Sequence, residues 1–261
     1  MIVKVFKEVG STNDELRRMV DRGEVSDEYS AIRADFQTKG RGQVGNGWES
    51  QAGKNVLLSV YAKPAGVSVD RQFLISIAVS LAIVDALEPF LPQDFRPKLK
   101  IKWPNDIYVA DSKMAGILIE NRLRGRDVYD SIIGVGLNVN QLFFRTEPPN
   151  PVSIKLLTGF DADVEEIASL LDSSISSRLQ QLGQIDDDTL RRDYFSHLYR
   201  ADGGYHDFAD RAGRFSARVA GVGPDGRLSL SLPGGETRSY LFKEVEHVIP
   251  LLGGGEVTPN L

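Results

Sequence analysis

The sequence predicts an α+β fold, a mixed β-sheet with packed helices followed by a small all-β unit, and three observations carry the prediction. Strand-like alternation and helix-like runs are interspersed over residues 1–202. The run Phe73–Val84 is almost wholly apolar, as in the buried central helix of a domain. Past Arg200, glycine-rich turns and short alternating strands replace the helices. With 261 residues and 41% apolar content, the chain can bury one good core and a small satellite. The expected division is 1–202 for the main domain, 203–252 for the β unit and 253–261 for a disordered tail.

Ile2–Lys7 alternates like a strand. Gly10-Ser11-Thr12-Asn13-Asp14-Glu15 places hydroxyl caps ahead of an acid three residues on, so a helix is expected to start near Thr12 and stop at Gly23. Ala31–Phe36 and Asn55–Ala62 read as strands around a glycine loop, and the apolar helix extends over about Arg71–Phe90. After a Pro92–Pro97 loop come strands at Leu99–Trp103, Ile107–Val109, Met114–Asn121 and Asp130–Asn140, the middle pair joined by the Ala110–Lys113 turn. Asp163–Leu182 and Asp187–Tyr199 are amphipathic helices. In the last unit Gly213–Val222, Arg227–Leu232, Thr237–Phe242 and Glu244–Ile249 are strands, with Gly223–Gly226 and Pro233–Glu236 as hairpin turns.

A formal charge of −5 gives no general attraction to nucleic acid or anionic lipid, so partners must be recognised locally. Without cysteine there is no disulfide framework, thiolate nucleophile or zinc–thiolate site. The opening Met-Ile-Val-Lys-Val lacks a signal peptide's regions, and Phe73–Val84 is shorter than the roughly 20 apolar residues a bilayer requires. A cytoplasmic protein off the membrane is expected.

Chemistry concentrates in two stretches. Gly40-Arg41-Gly42-Gln43-Val44-Gly45 matches G-x-G-x-x-G, yet Asn46-Gly47-Trp48 and then a strand follow where a dinucleotide fold needs a helix, and no Walker A pattern occurs. What remains is a flexible loop whose bare backbone N–H groups can wrap an anion, with Arg41 to pair with phosphate or carboxylate. Trp48 ends that loop as hinge anchor, lid wall or core residue. In the second stretch, Lys102-Trp103-Pro104-Asn105-Asp106, the proline holds Asn105 and Asp106 at a fixed place beyond a strand end. Lys113 follows, between a turn and the strand Met114–Glu120, with Gly116 allowing close approach to the backbone. Asp106 is a candidate magnesium ligand, with a cap or turn role equally open. Gly134 and Gly136 lie on one face of a strand and open a slot, or mark a bulge. His197, His206 and His247 share no metal-ligand spacing.

Gly10–Asn13, Gln37 with Gly40–Trp48, Lys102–Asp106, Lys113–Glu120 and Gly134–Asn138 together resemble the signature blocks of biotin protein ligases. The resemblance implies a class II synthetase-like catalytic domain with an SH3-like C-terminal β-barrel. It further implies an enzyme that joins biotin to ATP as biotinyl-5'-AMP, with Mg²⁺, and passes biotin to a lysine of a biotin carboxyl carrier domain of acetyl-CoA carboxylase or a related carboxylase. By that likeness Ser11, Thr12 and Gln37 hydrogen-bond the ureido ring, where Gly116 offers its backbone. Gly40–Asn46 folds over biotin and the phosphates, with Arg41 pairing with them and Lys113 at the reacting carboxylate and α-phosphate. Gly134 and Gly136 line the valeryl slot, and Asn138 reaches toward the nucleotide. Asn13, Gly40, Gly42, Gln43, Gly45, Asn46, Trp48, Lys102, Asn105, Asp106 and Ile117 complete the expected substrate-binding set.

Two departures from the family pattern bear on function. The chain begins at the catalytic strand rather than with a winged helix-turn-helix, so the monofunctional type without DNA binding is expected, as monomer or homodimer. Gln43, Val44 and Asn46 stand where many bacterial members carry arginines, which points to looser retention of the adenylate. Arg41 is expected to move freely until an anion arrives. A lipoate or octanoate ligase on a related fold and a non-catalytic biotin sensor are the competing readings; the latter would lack Lys113 or Arg41.

Overall fold

A computed structural model describes residues 1–43, 45–145 and 150–251. The expected tail at 253–261 and Val44 lie outside the described residues. The main unit is a seven-stranded mixed sheet in the order β1 (Ile2–Val9), β2 (Ala31–Gln37), β3 (Asn55–Ala62), β7 (Asp127–Asn138), β6 (Ser112–Arg124), β5 (Asp106–Val109), β4 (Leu99–Lys102). β1 and β2 run parallel and every other neighbouring pair antiparallel.

Side chains alternate across the sheet, and the two faces bury different partners. Ala31, Val60, Ile133 and Val135 face the large core, which holds α2 (Phe73–Leu87) and α4 (Val164–Gln180). α2 is buried nearly all round, so its apolar run is core rather than surface. Ile32, Tyr61 and Ile132 face the other way, against Leu16 and Met19 of α1 (Thr12–Asp21). The even-numbered end of β7 continues along that second face, where Gly134 and Gly136 remove the side chains and leave room above the sheet.

The N-terminus of α1 differs from its expected capping. Ser11 occupies the N-cap position without a side-chain cap bond; instead Gln37 Oε1 accepts from Thr12 N (2.7 Å) and Thr12 Oγ1 (3.0 Å). A side chain at the end of β2 thus satisfies the helix's open N–H, and Ser11 is left to line the space above the glycines. Lys113 is also better placed than the sequence suggested. β6 begins at Ser112 after the two-residue Ala110–Asp111 turn, so Lys113 sits on the strand, paired opposite Tyr108. Two elements had escaped the sequence reading: α3 (Ile154–Thr158), only five residues long, and β8 (His206–Asp210), whose His-Asp-Phe-Ala-Asp pattern is largely polar. α5 (Asp187–Ser196) completes the helices of this unit.

The C-terminal unit is an antiparallel sheet in the order β11 (Thr237–Tyr240), β10 (Leu228–Ser231), β9 (Gly213–Val222), β8, β12 (Val245–His247). An SH3-like barrel was expected from the resemblance; among the described residues β11 and β12 remain the two edges, and the sheet is open. It is fastened to the main unit at the Trp-Pro-Asn-Asp corner: Trp103 Nε1 donates to Gly226 O at 2.8 Å and its ring meets Phe242 edge-on. Tyr199 adds ring contacts with both Tyr108 and His247.

Candidate active site

The glycine-cleared face, the Gly40–Trp48 loop, the Trp-Pro-Asn-Asp corner and β12 enclose a cavity of about 860 Å³. Its lining includes the expected Ser11, Thr12, Asn13, Gln37, Arg41, Gly42, Gln43, Gly45, Asn46, Trp48, Lys102, Asn105, Asp106, Lys113, Gly116, Ile117, Gly134, Gly136 and Asn138. Gly40 stands just behind: a Cβ there would lie 2.4 Å from Trp48 O, so only glycine lets the loop's two ends close on each other. Residues from 11 to 138 therefore converge on one place.

One end is neutral and built from hydrogen-bonding groups. Thr12 donates to Gln37, Ser59 Oγ lies 2.8 Å from Thr12 Oγ1 and donates to Asn13 Oδ1 at 2.6 Å, and Asn13 Nδ2 donates to Leu118 O and to Glu120 Oε2 at 2.8 Å. Gly134 lines the cavity and also faces Asn13. A Cβ on it would be 2.3 Å from Asn13 Oδ1, so the missing side chain makes room for the asparagine amide. Ser59 is fully buried and was missed; a serine within the apolar run Asn-Val-Leu-Leu-Ser-Val-Tyr-Ala was the available signal.

The other end is cationic. Lys113 Nζ lies 2.7 Å from Asp106 Oδ1 and 5.8 Å from the Trp48 ring centroid. Lys102 points into the same end over the Tyr108 ring, and no carboxylate of the described residues is within ion-pairing distance of it. Burial, aided by Lys113 and opposed by Asp106, pulls its ammonium below the ordinary lysine range. His247 closes this end from β12; burial first, then Lys102 and Arg200, hold its ring well below the usual histidine range. Asn105 is committed to fastening: its Nδ2 donates to Ile117 O (2.7 Å) and its carbonyl accepts from Ile117 N (2.9 Å), so these two expected ligand contacts hold each other.

Between the ends lies the ring of Trp48. A Cβ on Gly136 would be 2.3 Å from Trp48 Cε2 and one on Gly116 3.0 Å from Cζ3, so both glycines exist for the indole. Among the described residues, three buried polar atoms here have no protein partner: Trp48 Nε1, Gln43 Oε1 and Asn138 Oδ1. Asn138 Nδ2 donates to Val152 O, which fixes its oxygen as the open acceptor. Unsatisfied buried donors and acceptors beside a cavity mark where a ligand's polar atoms fit. Arg41 departs from expectation. It is not waiting for an anion but bonds Asp14 (2.6 Å) and both oxygens of Glu120 (3.0 and 2.9 Å). Among the described residues no cluster of three or more carboxylates and histidines could hold a metal ion.

The chain is similar to the Biotin--[acetyl-CoA-carboxylase] ligase of Mycobacterium tuberculosis, at 33% identity over 68% of this chain and 64% of that protein. It is also similar to the Bifunctional ligase/repressor BirA of Escherichia coli, at 30% identity over 70% of this chain and 54% of the relative. The chain thus spans less than two thirds of either curated relative. The solved Biotin protein ligase from Aquifex aeolicus in complex with biotin and ATP shares the fold, with a TM-score of 0.74 at 24% identity, covering 94% of this chain and 98% of that one. Residues 9–138, which carry the cavity's floor, the loop and both lysines, match the Biotin/lipoate A/B protein ligase family model, and the chain belongs to that family.

Proposed function

We propose that the chain is an ATP-dependent ligase that forms biotinyl-5'-AMP and transfers the biotinyl group to a lysine of a biotin carboxyl carrier domain. The observation that carries this reading is the division of one cavity into a neutral hydrogen-bonding end and a cationic end, with Trp48 between them. Biotin pairs a neutral ureido ring with a carboxylate at the end of an apolar chain, and ATP supplies the anions; each matches one part of the division. Lys113 sits where the biotin carboxylate meets the α-phosphorus, offsetting the repulsion of two anions and the charge that develops as pyrophosphate leaves. The lysine amine of the carrier then attacks the acyl carbon and AMP departs. Loop closure keeps water from the mixed anhydride in between.

Lys102 and Lys113 together suit the phosphate chain. Asp106, already beside Lys113, suits a magnesium ion that arrives on the triphosphate, since such ions keep one or two protein carboxylates and fill the remaining positions with phosphate and water. That ion would supply charge neutralisation, and the protein's own cations hold the same phosphates. We read residues 1–202 as the catalytic unit and the C-terminal unit as the family's SH3-like module with one strand pairing left open. A cytoplasmic setting fits the cysteine-free composition.

The test is direct. Purified protein given biotin, Mg-ATP and a carrier domain is expected to release pyrophosphate and label one lysine, and lipoate or octanoate in place of biotin is expected to give neither. Labelling with lipoate but not biotin would transfer the assignment to the other branch of the family.

A further inference from the structure

β1 ends the seven-stranded sheet, and among the described residues only β2 pairs with it. Thr38 N donates to Val9 O at 2.9 Å, which turns the N–H and C=O of Val9 toward β2. The register runs unbroken from Lys4 to Val9, so Val5 and Lys7 face β2 as well, and the backbone groups of Lys4, Phe6 and Glu8 point outward. α1 packs chiefly over β2, β3 and β7, and Val3 and Val5 stay 48% and 50% exposed. The edge carries no proline, and its register shift lies at the Ile2–Lys4 end. Open donors and acceptors beside exposed valines are what a further strand completes.

The charges of β1 select that strand. Lys4, Phe6 and Glu8 share one face, where Lys4 Nζ lies 4.7 Å from the Phe6 ring centroid, and both charged side chains are exposed. Antiparallel pairing of β1 with a copy of itself, centred on Phe6, sets Lys4 opposite Glu8 at both ends, Val3 opposite Val9, and Phe6 opposite Phe6. Every outward-pointing residue then falls in a hydrogen-bonded pair. Centring on Lys4 or Lys7 would oppose two lysines, and centring on Val5 would lose both ion pairs. We propose that the β1 edge is a self-association surface, on which two copies of this chain pair β1 antiparallel about a two-fold axis at Phe6 and join their sheets into one. The partner strand is short and its ion pairs are wet, so the dimer is a weak one, formed at tens of micromolar. The inference does not depend on the ligase reading above.

The experiment measures the association of the ligand-free full chain by sedimentation over a range of concentrations. Wild type is expected to pass from monomer to dimer. K4E and E8K are each expected to weaken association about tenfold, because each change opposes like charges at both ends of the pairing. K4E/E8K exchanges the two charges and is expected to return to within about threefold of wild type. A second arm fixes the register. The chain has no cysteine, so single cysteines are clean probes. F6C copies are expected to cross-link under mild oxidation, since directly opposed Cα atoms in such a pair lie about 5.5 Å apart, within disulfide reach. V3C copies, roughly 20 Å apart in this register, are expected to stay separate although Val3 is exposed. A wild-type chain still monomeric at about 200 μM would overturn the proposal. So would a dimer that neither single charge change weakens, which would put the contact on another surface, or one in which V3C cross-links as readily as F6C.

Discussion

The two ends of the cavity are assembled by opposite means. The neutral end interlocks buried groups from α1, β2, β3 and β7, each hydroxyl or amide fixed by another, so its geometry is set before any ligand arrives. The cationic end gathers Lys102 and Lys113 from β4 and β6, with Asp106 paired to Lys113 and the uncharged ring of His247 closing it from β12. Like charges brought together in this way raise the free energy of the empty site, and an anion relieves it. On the proposed ligase reading, the comparison teaches that recognition and reaction are separated in space: one end selects a shape, the other waits for charge.

The largest break should come at the charged end. Lys113→Met is expected to slow adenylate formation about 100- to 1,000-fold, or about 3–4 kcal/mol of barrier, as when a preorganised donor to a developing oxyanion is removed. Pyrophosphate release measures it, with the KM for biotin as control. Because the change also strands Asp106, the double variant Asp106→Asn/Lys113→Met should not recover the rate; recovery would mean that Lys113 serves only to neutralise Asp106.

The glycines separate the ends more finely. Gly134→Ala and Gly136→Ala each place a methyl 2.3 Å from a neighbour, Asn13 Oδ1 in one case and Trp48 Cε2 in the other, and overpacking of this kind typically costs about 1–3 kcal/mol. Gly134→Ala is expected to raise KM for biotin and leave KM for ATP alone. Gly136→Ala is expected to unseat Trp48 and affect both. Identical profiles for the two would show that the ends are not independent. At the smaller scale of one neutral hydrogen bond, Ser59→Ala is expected to raise KM for biotin about fivefold through Thr12 and Asn13, near 1 kcal/mol, in steady-state kinetics.

How legible the site was depends on what fixed each residue. The main strands and helices followed from alternation and from caps, because local pattern and burial agree there. Lys113, Trp48, Gln37, Gly42, Gly45, Gly116, Gly134 and Gly136 belong to short blocks rich in glycine and polar residues, and all line one cavity, with Gly40 just behind it. The partners of Gly134 and Arg41 were not legible because each lies distant in sequence, Asn13 for one, Asp14 and Glu120 for the other. Ser59 stayed hidden because a serine in a buried strand gives no periodic signal. β8 was passed over since its alternation is polar, and its pairing with β9 and β12 supplies what the local sequence does not.

The smallest expected effect tests whether the C-terminal unit shares in the charged end. His247 is packed against the Phe208 ring (centroids 4.8 Å apart) and the Tyr199 ring (5.4 Å), and burial, with Lys102 and Arg200 nearby, depresses its affinity for a proton. In the unfolded chain the same ring titrates near its ordinary value of 6.5. Below that value the unfolded state binds a proton that the folded state refuses, so stability falls as pH drops through about 6.5 and recovers above it. Between about pH 7 and 6, still above the titration of ordinary carboxylates, the loss from this one group is at most about 0.7 kcal/mol. His247→Phe keeps an aromatic ring against Phe208 and Tyr199 and removes the titration. Its denaturation midpoint is therefore expected to fall less over that interval than the wild type's. If Lys102 contributes to the effect, Lys102→Gln should flatten the same slope in part, because one of the charges that keeps the ring neutral is gone. A wild-type slope left unchanged by His247→Phe would mean that the buried ring is not what senses pH, and that the cationic end stops at Lys102.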